Sequence, residues 1–162
     1  MDPPIPPLRD LSDRQVDIIK STWAILNENP EESGEAIFYT FLERHPEHQK
    51  RYTAFRNKPL EELKGTPQIR RHSGKIMNIF NTAIEALGTE NCKSTVFNAI
   101  SDNADFHGKK GIKKEHYNQL RDIMLETVAG ACTLDDEGKE AWSCLMDVVY
   151  HITFNVLDEL RK

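Results

Sequence analysis

Six histidines carry most of the chemistry this chain could do, and their neighbours divide them. His45 and His48 flank a proline at a helix end, His116 lies in a charged stretch, and His151 sits beside Ile152. None of these four pairs suggestively with another. His72 and His107 differ, because each falls in line with apolar residues: Ile69, Ile76 and Ile79 around the first, Val96 and Ile100 before the second. A buried imidazole needs partners for its polar nitrogens. In one reading each is a core residue bonded to a backbone carbonyl, as buried polar groups commonly are. In the other, the two apolar rows face each other across a shared ligand. Two neutral imidazoles aimed into an apolar slot suit a haem iron. A zinc site wants three or four clustered ligands, and no third candidate is evident. Spacing alone does not decide between these readings.

The elements that must position these residues read as helices throughout. Ser12 with Gln15 three residues on forms a capping box, and Leu11 and Val16 stand at staple positions. Val16, Ile19, Trp23 and Leu26 then recur on one face. A second helix follows Pro30, with Gly34, Ile37, Phe38, Phe41 and Leu42 as its stripe, and Pro46 ends or bends it. Residues 53–66 read as a loop with one helical turn near Leu60 to Leu63. Thr66-Pro67 opens the helix that carries His72, and Gly88 suits its end. A helix from about Ser94 to Lys109 carries Asn103 and His107, and another runs from about Glu115 to Cys132. The last begins near Asp135 or Asp136, where acidic residues suit the positive end of the helix dipole. No segment alternates as a strand would, so the expected fold class is all-α.

Bulk properties narrow the class further. The chain has 162 residues, 38% hydrophobic and 29% charged, which suits one globular domain. Its formal net charge of -5 leaves no basic footprint for nucleic acid. No apolar run approaches a membrane span, and the first ten residues lack the pattern of a secretory signal. The three cysteines are scattered and read as reduced thiols of a cytoplasmic protein. Residues 1–10 hold Pro3, Pro4, Pro6 and Pro7 and read as a mobile tail. Pro4, Pro7 and Arg9 also fit a PxxP-plus-arginine pattern.

Residues 11–162 resemble a globin domain. Leu11-Ser12 followed by Trp23 resembles the first globin helix, and Phe41-Leu42-Glu43-Arg44-His45-Pro46-Glu47 the second helix with its proline. His72-Ser73-Gly74-Lys75-Ile76-Met77 is similar to the distal segment of neuroglobin- and cytoglobin-like animal globins. His107-Gly108-Lys109-Lys110-Gly111-Ile112 is similar to the proximal segment, Glu115-His116-Tyr117 to the start of the next helix, and Glu140-Ala141-Trp142 to the last helix. The resemblance implies the globin fold, with helices packed around a haem b pocket. It implies His107 as proximal iron ligand and His72 as distal residue, with Ile76 crowding the ligand side and Phe38 walling it. Tyr52 and Phe55 would contact the haem edge and face, Ile112 would pack on the proximal side, and Lys75 would reach a propionate. The implied function is reversible binding of oxygen, carbon monoxide or nitric oxide at ferrous iron, as in oxygen transport. His72 would donate a hydrogen bond to the gas, or bind the iron itself when no gas is present.

Three departures from the family pattern bear on that expectation. Tyr52 stands where phenylalanine is usual, and its hydroxyl needs a partner if buried. Asn103 replaces a usual leucine one turn before His107, either as a helix-surface residue or as a side-chain partner of the imidazole. The interval from His72 to His107 is long, which suggests an insertion near Gly88 to Ser94. Two other functions stay open. One is a haem-dependent nitric oxide dioxygenase, weak peroxidase or redox and gas sensor. It would need an external reductase, since no flavin or nicotinamide motif is present. The other is a haem-free helical interaction module that docks through the proline-rich tail.

Overall fold

The computed structural model describes residues 2–162. Six α-helices carry the chain: α1 (Asp13–Leu26), α2 (Pro30–Arg44), α3 (Pro67–Ala86), α4 (Cys92–Lys109), α5 (Lys114–Cys132) and α6 (Asp136–Leu160). Among the described residues there is no strand. The local signals explain most helix starts. Ser12 accepts from the Gln15 amide while the Gln15 side chain accepts from Ser12, which closes the expected capping box. Asn29, Thr66 and Asp135 each accept an amide at the start of α2, α3 and α6. Gly88 and Gly111 take positive φ where α3 and α4 end, a conformation that costs glycine little.

Two segments differ from the sequence reading. Pro46–Arg51 continues past α2 as a 3₁₀ turn, and a second forms at Leu60–Leu63, so Pro46 starts a new turn as well as ending α2. The connection near Gly88 to Ser94 is shorter than that reading suggests: residues 87–91 alone join α3 to α4, and α4 already begins at Cys92, well before His107.

Close crossings set how the helices meet. A Cβ on Gly34 would lie 2.8 Å from Met77 Cγ and 3.0 Å from the Ser73 carbonyl oxygen, so this glycine lets α2 cross tightly over α3. A Cβ on Gly108 would lie 2.6 Å and 2.8 Å from the Leu160 and Leu157 methyl groups, so α4 rests directly on the end of α6. The core between them is filled by Trp142, Phe154, Ile19, Ile37 and Met124, all fully buried. Trp142 donates through its indole to Thr22 Oγ1 at 2.8 Å, which satisfies the one polar atom it buries.

The row His72, Ile76 and Ile79 is only half-buried, while Ser73, Met77 and Ile84, one step round the helix, are in the core. The stripe read from the sequence thus straddles two surfaces, one packed on α2 and one facing an internal space. Residues 2–10 have no regular structure and lie along α5 and α6. The Pro6 carbonyl accepts from His151 Nδ1 at 2.9 Å, Arg9 pairs with Asp147 and Glu140, and Asp2 meets Lys114 and Arg161. All three cysteines are free thiols.

Candidate functional site

α2, the turn after it, α3, α4, α5 and α6 line a cavity of about 1040 Å³, to which His72 from α3 and His107 from α4 both contribute. Its size lies at the upper end of the range for small-molecule sites. On the α4 side, His107 Nδ1 is 2.9 Å from the Asn103 main-chain oxygen. A carbonyl only accepts, so Nδ1 carries the proton and Nε2 is left with its lone pair free for a ligand. The bond one turn back comes from the helix backbone and would form with any residue at position 103. The side chain of Asn103 instead reaches the cavity wall. Lys110 and Ile112 both donate their amides to the His107 carbonyl, which ties down the turn after it.

The α3 side is built differently. Among the described residues none hydrogen-bonds His72. Its ring lies among aromatic side chains instead: Tyr52 at 4.8 Å, Phe55 at 5.7 Å and Phe38 at 6.1 Å between centroids. Phe38, Tyr52, Lys75, Ile76 and Ile112 line the cavity. Phe55 does not. It is fully buried behind the wall, stacked on Tyr52 at 5.1 Å, and so buttresses the aromatic face without reaching the space.

Burial lowers the pKa of both imidazoles. For His72 the cations Lys75, Arg71 and Lys110 add to that effect, and for His107 the bond to Asn103 partly offsets it. Both are therefore neutral at neutral pH, the form that coordinates a metal. This donor set fits an iron porphyrin. It offers one imidazole with a fixed tautomer, a second lining the same space, apolar walls, and the cations Arg51, Lys75 and Lys110 at the rim for two carboxylates.

The globin family model matches residues 35–153, most of the chain. The chain belongs to the globin family. A Drosophila melanogaster globin structure superposes with a TM-score of 0.86 at 34% identity, over 90% of this chain and 94% of that one. A structure of the hexa-coordinate haemoglobin of Drosophila melanogaster, concerned with cyanide binding and transitions of its haem cavity, gives 0.85 at 34% identity, over 89% and 94%. Globin CTT-Z of Chironomus thummi piger is 26% identical over 147 residues, 91% of this chain and 88% of that globin.

Within this globin the sequence reading missed several cavity residues. Arg51 and Lys110 were hidden in polar segments, and only the fold brings them to one rim. Tyr117 lies deep, with its ring 6.4 Å from that of His107. Its hydroxyl is buried with no hydrogen-bond partner among the described residues, and burial pushes its pKa up. Two of the histidines set aside above do meet. The His48 ring contacts His116 edge-on at 4.4 Å, stacks on Phe41 and shares a 2.7 Å bond with Gln119. That cluster closes one end of the cavity. No helix of the described residues is long and apolar enough to cross a membrane.

Proposed function

We propose that this globin binds haem b through His107 and takes up a diatomic gas, oxygen foremost, on the side of His72. The observation that carries this reading is the pair of neutral imidazoles lining one cavity from two helices, one anchored and one free. Ferrous haem would supply the gas-binding iron, and the chain's residues do the rest. His107 Nε2 would be the ligand, with its ring orientation fixed by the Asn103 carbonyl. Ile112 and Ile100 pack beside it, and Lys75, Lys110 and Arg51 suit the propionates. Phe38, Ile76 and Tyr52 keep water from the gas side. His72 donates to the gas through a ring nitrogen that no protein group occupies.

That same freedom of His72 favours a second resting state, in which its imidazole would bind the iron when no gas is present. A related Drosophila haemoglobin is described as hexa-coordinate, which supports this state. Absorption spectra of purified protein reconstituted with haem test both statements. The reading expects a Soret band that shifts on reduction and again with carbon monoxide, and a six-coordinate low-spin ferrous spectrum before the gas is added. A five-coordinate ferrous spectrum rejects the bis-histidyl state, and failure to take up haem rejects the function.

A further inference from the structure

Lys114 is an unfavourable residue where it stands. It opens α5, so its charge meets the positive end of the helix dipole, and its side chain is only 5% exposed. Two carboxylates from elsewhere in the chain compensate. Lys114 Nζ is 2.6 Å from Asp2 Oδ2 and 2.7 Å from Asp158 Oδ1. Asp2 also reaches Arg161 at 3.2 Å. Burial alone would lower the pKa of Lys114, but the bonds to Asp158 and Asp2 outweigh it and raise the value. The N-terminal segment, the start of α5 and the last turn of α6 are thus joined at one buried ammonium.

That last turn of α6 is the surface against which the residue after His107 packs. Leu157 and Leu160 flank Asp158 in sequence and crowd the missing side chain of Gly108, the residue after His107. From the other direction, the turn that ends α4 leads into Lys114 through Ile112, whose amide bonds the His107 carbonyl at 3.1 Å. Position at Lys114 is therefore passed to His107 by two short routes, one through packing and one through the backbone. The rest of the segment is fastened along α6, by the Pro6 carbonyl on His151 and by Arg9 on Asp147. Asp147 in turn holds Arg121 of α5 at 2.8 Å. Arg9 is engaged there, so the PxxP-plus-arginine pattern is turned toward the protein's own surface.

We propose that residues 2–10 form a strap that sets the position of His107, with Asp2 as its positioning residue acting through Lys114 and the last turn of α6. The strap stiffens the proximal side and, resting on the reading that His107 holds the iron, sets the iron–histidine bond and with it the gas affinity. Releasing Asp2 leaves Lys114 held by Asp158 alone, parts the N-terminal segment from the start of α5 and the end of α6, and lets the turn after His107 move more easily.

The test compares the full chain with Asp2→Ala and Asp2→Glu. In the haem-free protein, hydrogen exchange is read at the amides of Lys110, Gly111 and Ile112, which bond the His107 and Gly108 carbonyls. Asp2→Ala is expected to speed exchange there about threefold or more, as local opening becomes easier, while the Trp142 region stays unchanged and Asp2→Glu restores the parent rates. In the haem-loaded protein, the iron–histidine stretching band of the ferrous five-coordinate state, populated by photolysis of the carbon monoxide form, shifts in Asp2→Ala and returns in Asp2→Glu. Exchange that rises only at the α6 end, or not at all, overturns the strap's role. If the amides respond but the protein takes up no haem, the strap stands and the gas-binding reading fails.

Discussion

The two histidine faces of the cavity are built on opposite plans. His107 is held on three sides: its Nδ1 bonds a carbonyl one turn back, its own carbonyl takes two amides, and the next residue is pressed onto α6. His72 is held by ring contacts alone, among Phe38, Tyr52 and Phe55, with no hydrogen bond from a described residue. A permanent ligand benefits from fixed tautomer and position, because any wandering of Nε2 weakens the bond to iron. A residue that must yield to an incoming gas benefits from the reverse. Burial in a globin core makes both imidazoles neutral, but only the backbone distinguishes the anchored ring from the free one.

The largest expected effect breaks the anchored side. His107→Ala lowers haem affinity more than about a hundredfold, beyond the usual cost of losing an outer-shell partner, as read by haem transfer to a competing acceptor. His72→Leu keeps haem bound at near-parent affinity. It speeds oxygen dissociation roughly five- to a hundredfold, since a charge-assisted bond of about 1–3 kcal/mol is lost, and it turns the gas-free ferrous spectrum five-coordinate. Stopped-flow release with dithionite measures the rate.

Packing sharpens the same contrast. Gly108→Val forces a side chain against Leu157 and Leu160 and costs about 1–3 kcal/mol in urea unfolding, as overpacking does. It also moves the iron–histidine band. Gly34→Ala, which meets Met77 and the Ser73 backbone on the other face, destabilises the fold and leaves that band in place. Acid gives a smaller, graded effect. Both imidazoles have folded pKa values below the ordinary 6.5, so the unfolded chain binds protons more readily. Their contribution is fully present above pH 6.5 and is lost as the pH falls through their folded values. Urea midpoints of the haem-free protein therefore decline below that pH, and less steeply in His72→Leu. Tyr52→Phe has the least effect, a change in stability within about 0.5 kcal/mol, because its hydroxyl has no partner to lose among the described residues.

Much of this was legible in the chain because it is local. The Ser12–Gln15 cap, the Thr66-Pro67 start and the glycine stops involve residues a few positions apart, and backbone geometry at short range decides them. The two histidines were legible because polar residues within apolar rows demand an explanation. What lay hidden is long-range. His48 and Gln119 are 71 positions apart, and Asp2 and Arg161 are 159 apart, so nothing in either neighbourhood announces the partner. The position of Phe55 behind Tyr52 depends on the turn geometry of a segment that looked like plain loop.

The anchored role of His107 is tested most directly by resonance Raman spectroscopy of ferrous His107→Gly protein loaded with haem, before and after free imidazole is added. The account predicts no iron–imidazole band in the variant alone, and a band restored by imidazole that shifts when the added imidazole carries ¹⁵N. A parent-like band in the variant without added imidazole contradicts it.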